Sequence, residues 1–141
     1  MTVYVDSSFI VSLYVTDSHS VDSRQRVRTV SRLWWTPLHV AEWAPAIAQH
    51  VFRRTVSFDE EREVYRQLKD DKLKGLWIET QMPENAFDLC ADLARRYGPK
   101  LGVRTLDSLH VACALELKAE RFWTFDERQA KLAKLEGLKT V

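Results

Sequence analysis

Short apolar runs alternate along the chain with longer segments in which apolar residues recur at helical spacing. Residues 2–5 form a β-branched and aromatic run that stops at Asp6, which predicts a buried strand. Further strands are predicted at residues 33–35, 76–79, 121–125 and 138–141. Helices are predicted at residues 7–14, 21–30 (helix or helix and loop), 37–53, 58–75, 83–97, 104–118 (amphipathic) and 126–135.

Capping and stop signals support several of these boundaries. Thr36 and Pro37 are typical of an N-cap followed by the first residue of a helix, and Ser57 to Glu60 form a capping box. Pro45 predicts a kink inside the third helix, because proline cannot donate to the carbonyl one turn earlier. Gly98–Pro99 predicts the end of the helix that precedes it.

The alternation of strands and helices predicts an α/β fold. Parallel strands require crossover helices, so we expect a mostly parallel central sheet flanked by helices on both faces. The chain has 141 residues, 45% of them apolar, which favours a single domain over 1–141. No apolar run approaches the roughly 18–20 residues of a membrane span, and the N-terminus lacks a signal-peptide pattern. Two cysteines, Cys90 and Cys113, are expected to be buried in helices of a protein of the reducing cytoplasm.

Charge and glycine content exclude some classes of function. The net charge is +1, so the overall charge does not indicate nucleic-acid binding, and only local basic clusters could do so. The chain has four glycines and neither of the two common glycine-rich nucleotide-binding loops.

Four acidic residues stand where one pocket could collect them. Asp6 and Asp126 follow the first and fourth predicted strands, and ligands of open parallel sheets bind at the carboxyl ends of strands. Glu42 and Asp107 interrupt apolar stretches of two helices. Each has an ordinary explanation by itself: a turn for Asp6, an N-cap completed by Gln129 for Asp126, a first-turn acid for Asp107 and a solvated face for Glu42.

Grouped carboxylates repel one another, and a hard divalent cation relieves that repulsion. Oxygen ligands suit Mg²⁺ or Mn²⁺, which bind phosphate oxygens and activate water. The four acids therefore predict a metal site for phosphodiester or phosphoryl chemistry.

At these residues the chain resembles a PIN domain, most closely a VapC-type toxin ribonuclease of a type II toxin–antitoxin system. The resemblance spans nearly the whole chain. It rests on Val5–Ser8, on Glu42, on Arg104–His110 and on Phe122–Asp126, in this order and at these spacings.

The resemblance implies a metal-dependent endoribonuclease. It implies that Asp6, Glu42, Asp107 and Asp126 bind Mg²⁺ or Mn²⁺, and that the hydroxyls of Ser7 or Ser8 and of Thr124 orient the acids or a metal-bound water. Pro45 departs from the pattern close to Glu42 and could change how that acid reaches the metal. His110, one turn after Asp107, is interpreted as a residue that packs or supports the acids.

The same resemblance implies an RNA substrate, a homodimer and a cognate antitoxin whose tail enters the acidic groove. Arg104 is the first candidate for an RNA contact because it lies three residues before Asp107. An alternative is a PIN-like module that binds RNA or a protein without cutting. A phosphoryl-transfer or receiver domain is disfavoured, since Ser8 occupies the place of the second acid in a dehalogenase-type motif.

Overall fold

The structure is a computed structural model and describes residues 1–140. Within these residues the strands are β1 (Val3–Val5), β2 (Leu33–Trp35), β3 (Trp77–Glu79) and β4 (Arg121–Trp123). The helices are α1 (Ser7–Tyr14), α2 (Ser20–Val27), α3 (Pro37–Phe52), α4 (Phe58–Leu73), α5 (Ala86–Leu101), α6 (Thr105–Glu116) and α7 (Glu127–Leu135). The strands pair in the order β3-β2-β1-β4, and every pairing is parallel. The predicted α/β fold is confirmed.

Strand β1 shows how the sheet separates two hydrophobic cores. Its side chains alternate, so Val3 and Val5 pack with α1, α3 and α4, whereas Tyr4 packs with α5, α6 and α7. All three residues are fully buried. The central position of β1 places the residue that follows it, Asp6, in the interior of the protein. No helix of the described residues is both long and apolar enough to cross a membrane.

The predicted end of α5 at Gly98–Pro99 is wrong. The helix continues through both residues to Leu101 and ends at Gly102, whose φ of 65° is left-handed and whose N–H bonds the Gly98 carbonyl at 2.8 Å. Pro99 lies in the last turn, where it removes one hydrogen bond to the carbonyl of Arg95. Arg95 is exposed, so water can replace that bond.

The sequence predicted an amphipathic helix at residues 104–118, and this prediction is wrong for α6. Every residue from Ser108 to Ala114 is buried, because α6 packs against both α5 and α7 and its small residues allow close approach. Cys113, within this stretch, and Cys90 of α5 are free and buried, as expected.

Two predicted strands are shorter than expected. Strand β4 stops at Trp123, whose carbonyl accepts from the Asp6 N–H at 3.1 Å, and the chain then turns into α7. The predicted strand at residues 138–141 is reduced to a single parallel bridge between Lys139 and Arg121, and residue 141 lies outside the described part of the chain. Helix α3 continues through Pro45 to Phe52.

Candidate functional site

The carboxyl ends of β1 and β4 lie side by side and bring two predicted site residues together. Val5 pairs with Trp123 in the parallel register, so Asp6 and Thr124 are the next residues on neighbouring strands. The Thr124 hydroxyl donates to Asp6 Oδ2 at 2.9 Å. The expected position of Asp6 at this edge of the sheet is therefore observed.

Asp6 is a buried carboxylate surrounded by hydrogen-bond donors. It is 5% exposed and caps α1, accepting from the Phe9 N–H at 3.0 Å and from the Ser8 hydroxyl at 2.8 Å. Burial raises the pKa of Asp6, and the charge of His110 together with these hydrogen bonds offsets only part of that rise. The fold thus holds an acid in a place that disfavours its charged form, which is common at functional sites.

Thr124 connects Asp6 to Gln129, which the sequence analysis interpreted as the partner of Asp126 in a capping box. Its hydroxyl also lies 2.7 Å from Gln129 Oε1, although it has one proton for two acceptors. The Gln129 side chain is fully buried, and its amide donates to the Asp107 carbonyl at 3.2 Å. The expected capping box with Asp126 is half formed: the Gln129 N–H donates to Asp126 Oδ1 at 2.9 Å, but the Gln129 side chain points to Thr124 and Asp107.

Asp107 and Asp126 are partly exposed and influence each other. Asp107 lies in the first turn of α6, and Asp126 caps α7. Burial raises the pKa of Asp107, and the negative charge of Asp126 raises it further. Arg104 opposes this shift, since its Nε lies 4.0 Å from Asp107 Oδ2. The Arg104 side chain is 86% exposed, so its guanidinium is accessible to an anion beside the acids.

Glu42 does not project freely from α3. Its Oε1 is in close contact with His110 Nε2 and accepts from the Ser7 hydroxyl at 2.8 Å. Burial raises the pKa of Glu42, but the hydrogen bond and charge of His110, with the Ser7 bond, hold it below its usual value. Because an ionised carboxylate can only accept, His110 Nε2 carries a proton.

His110 is buried and hydrogen-bonded to both Tyr4 and Glu42, so it packs in the core and supports an acid at the same time. It is 2% exposed, and its Nδ1 lies 2.7 Å from the hydroxyl of Tyr4 in β1. The two ring nitrogens therefore connect the core of the sheet to Glu42. Apart from the Arg104–His110 motif, local sequence gave no signal for this contact, since Glu42 is 68 residues away.

His39 supports the same edge of the sheet and was missed by sequence reasoning. Its Nδ1 accepts from the Thr36 N–H at 2.8 Å, so the proton is on Nε2, which donates to the Val5 carbonyl at 2.7 Å. Burial lowers the pKa of His39 to about 3, which keeps the ring neutral. The signal in the sequence was the spacing of Thr36 and His39, which form a capping box at the start of α3. The bond holds the end of β1 directly before Asp6.

The carboxylates of the site are of the chemical type that binds a divalent cation, but their positions do not form a metal site within residues 1–140. Within residues 1–140, no group of three or more His, Cys, Asp or Glu side chains is arranged to hold a metal ion. Glu42 is engaged by His110 and Ser7 instead. The raised pKa values of Asp6 and Asp107 nevertheless mark carboxylates whose charged forms a hard cation would stabilise. By their chemistry Asp6, Asp107 and Asp126 are therefore suitable donors, and Glu42 is bonded to Ser7 and His110.

The PIN domain family model matches residues 3–135, so the chain belongs to the PIN domain family. Solved structures share its fold. FitAcB from Neisseria gonorrhoeae aligns with a TM-score of 0.71 and 14% identity, covering 98% of this chain and 95% of that one.

Two further structures match at similar levels. VapC20 from Mycobacterium tuberculosis, described as a Sarcin-Ricin loop cleaving toxin, aligns with a TM-score of 0.67 and 11% identity over 92% of this chain and 93% of its own. VapBC2 from Rickettsia felis, bound to a DNA fragment from its promoter, aligns with a TM-score of 0.67 and 14% identity over 100% and 98%. No curated protein matches the chain significantly in sequence. At these identities the structural likeness establishes the fold.

Proposed function

We propose that this PIN domain is an endoribonuclease that hydrolyses RNA phosphodiester bonds with a water activated by Mg²⁺ or Mn²⁺. The observation that carries the proposal is the buried Asp6 carboxylate at the junction of β1 and β4, with Thr124 bonded to it. A charged group that is costly to bury is retained where chemistry needs it. Asp107 and Asp126 add two partly exposed carboxylates, and the Asp126 N–H donates to the Thr124 hydroxyl at 3.0 Å.

The residues of the chain have separate roles in this proposal. Asp6, Asp107 and Asp126 would hold the cation, and its chemistry there is to activate water and offset phosphate charge. Ser8 and Thr124 keep the Asp6 carboxylate in one orientation, so that little reorganisation is needed when RNA binds.

Glu42 is assigned as the fourth acid of the set, in the orientation that Ser7 and His110 give it. Its lowered pKa keeps it ionised near neutral pH. As an ionised group that already accepts two hydrogen bonds, it would contribute negative charge to the pocket from α3, whether or not it reaches the cation.

Arg104 would contact the RNA backbone. Its guanidinium is exposed, and it lies beside Asp107, so a phosphate approaching the acids meets one positive charge. The cluster of Arg95, Arg96 and Lys100 before it is partly occupied, because Arg96 pairs with Asp92 and Glu136.

We further propose that the nuclease is the toxin of a VapBC-type pair, that it forms a homodimer and that a cognate antitoxin inhibits it. The support is family membership, together with the structural similarity to the VapC20 toxin and to VapBC2. The proposal takes residues 1–141 as one domain acting in the cytoplasm.

The direct test is cleavage of total RNA by wild type and Asp6→Asn, with Mg²⁺, with Mn²⁺ and with EDTA. We expect cleavage that needs both the metal and Asp6. Asp59→Asn is the matched control, because this carboxylate is 86% exposed and pairs with Arg62 of the same helix, α4. Undiminished cleavage by Asp6→Asn would refute the proposal, and sequencing of cut ends would identify the substrate.

The second candidate is a module that binds RNA or protein without cutting. The observation that favours it is the engagement of Glu42 by His110, which leaves fewer acids available to a cation. Calorimetry with Mn²⁺ separates the two candidates, since the nuclease requires binding that weakens in Asp107→Asn. A protein that binds RNA but neither binds Mn²⁺ nor cuts would be the module.

A further inference from the structure

Three aromatic rings form a stacked column that runs from the core to the surface beside the candidate site. The Phe9 and Phe125 rings lie 5.5 Å apart between centroids, with planes 11° apart. Phe125 and His19 lie 4.1 Å apart, with planes 9° apart. Phe9 is fully buried, Phe125 half-buried and His19 exposed, so the column ends in solvent with an imidazole ring.

The column is attached to the acids of the site. The Phe9 N–H donates to Asp6 Oδ1 at 3.0 Å. Phe125 stands in the chain between Thr124, which bonds Asp6, and Asp126. Neighbouring Cα atoms are about 3.8 Å apart, so Phe125 is within one residue of two side chains of the site.

His19 is held in place by its neighbours. The backbone N–H of His19 donates to Asp17 Oδ1 at 2.8 Å, and the backbone N–H of Asp17 donates to the Ser20 hydroxyl at 2.8 Å. Ser20 is buried, and its hydroxyl lies 3.1 Å from the Val15 carbonyl. These bonds order the backbone at His19, and the stack on Phe125 orders its ring. A ring that is already ordered loses little entropy when a ligand stacks on it, which favours binding.

The outer surface of His19 is open to a ligand. One face of the ring covers Phe125, so the exposed area of the side chain lies on the opposite face and the edges. Neither ring nitrogen makes a hydrogen bond within residues 1–140. The result is a flat, unsatisfied aromatic surface on Phe125, whose chain neighbours Thr124 and Asp126 belong to the candidate site.

We propose that His19, supported by Phe125, is a stacking shelf for one unpaired RNA base next to the bond that is cut; this rests on the proposed ribonuclease function. Single-stranded RNA is commonly bound by stacking its bases on aromatic side chains, histidine included. Every base has a flat face, so the shelf positions the strand with little sequence preference. Arg104 beside Asp107 supplies the phosphate contact, and the shelf supplies the base contact.

The test uses Asp6→Asn protein, so that RNA binds without being cut. The probe is a short single-stranded RNA of mixed sequence with 2-aminopurine placed at each position in turn, because its fluorescence is quenched when it stacks. We expect partial quenching at several internal positions, because a shelf with little sequence preference binds the strand in several registers. Adding His19→Ala should abolish that quenching and weaken binding about 5- to 150-fold, the range that corresponds to stacking one base.

Two substitutions distinguish base stacking by His19 from a purely structural role in shielding Phe125 from water. His19→Phe keeps a flat ring and should retain both quenching and affinity. His19→Leu keeps apolar cover over Phe125 without a flat face, so it should bind as weakly as His19→Ala. His50→Ala is the matched control, since His50 lies more than two turns beyond Glu42 on α3. Unchanged quenching in His19→Ala, or loss of quenching in His50→Ala to the same degree, would overturn the shelf.

Cleavage by the protein with Asp6 intact distinguishes failure of the shelf from failure of the proposed function. Metal-dependent cleavage together with binding that ignores His19 would refute the shelf alone. Absence of cleavage together with His19-dependent quenching would refute the nuclease and the position of the shelf next to a cut bond, and it would support base stacking on His19 alone. Failure to bind any of the probes would refute the shelf as well.

Discussion

Replacing Asp6 by Asn should stabilise the metal-free protein at neutral pH while abolishing cleavage. The carboxylate is 5% exposed, and burial raises its pKa, so the charged form costs folding free energy at pH 7. Asparagine caps a helix about as well as aspartate, so the bond to the Phe9 N–H is retained.

The substitution also resolves a shortage of protons at Thr124. In the wild type the Thr124 hydroxyl faces two acceptors, Asp6 Oδ2 at 2.9 Å and Gln129 Oε1 at 2.7 Å. An amide at position 6 would donate to Thr124, which would then donate to Gln129. One additional hydrogen bond is worth about 0.5–1.5 kcal/mol, so we expect a total gain of about 1–2 kcal/mol.

The assay is urea unfolding in EDTA at several pH values. Asp6 has a raised pKa in the folded state, so its protonated form gives full stability below the unfolded pKa, and that stability is lost as pH rises through the folded pKa. The advantage of Asp6→Asn should therefore be largest at pH 7 and shrink toward pH 4. Asp59→Asn should change stability by less than about 0.5 kcal/mol at every pH. An Asp6→Asn protein less stable than wild type at pH 7 would refute the reasoning.

Two other predictions concern the supports of the site. Gln129→Leu should destabilise the protein by about 2 kcal/mol, measured by urea unfolding, because the Asp107 carbonyl loses its buried donor; an equally stable variant would contradict this. His39 has its pKa lowered to about 3, so the unfolded state binds its proton below about pH 6.5 and the folded state does not. Between these pH values His39 should cost about 1 kcal/mol of stability per pH unit of acidification, and His39→Gln should flatten that slope; the same slope in both proteins would count against it.

The structure also changes how single residues are interpreted. Asp6 was weighed as either an ordinary turn residue or a site acid, and it is an N-cap and a buried acid at once. Asp126 is likewise an N-cap, that of α7, although it is partly exposed. A residue that caps a helix at the carboxyl end of a strand is ordered by the backbone, which makes it a precise place for a functional carboxylate.

Much of the fold could be predicted from the sequence because its signals are local. A short β-branched and aromatic run such as residues 2–5 is typical of a buried strand, and Ser57 and Glu60 cap a helix with their own side chains. The order of these elements implies crossovers and hence a parallel sheet. The Gly98–Pro99 prediction failed because a proline in the last turn costs only one exposed hydrogen bond, and Gly102 was the better stop.

Part of the candidate site could likewise be predicted from local sequence signals, and part could not. Sequence alone placed Asp6 directly after a strand, because a buried strand is visible in a hydrophobic pattern. It also expected Asp126 directly after a strand, but β4 ends at Trp123, three residues earlier. Only the tertiary structure decided that His110 engages Glu42, that Gln129 bridges Thr124 to Asp107, and that His19 covers Phe125. The bonds of His110 to Glu42 and of Tyr4 to His110 join residues 68 and 106 positions apart. Local periodicity carries no information about such partners, because they meet only when the helices pack on both faces of the sheet.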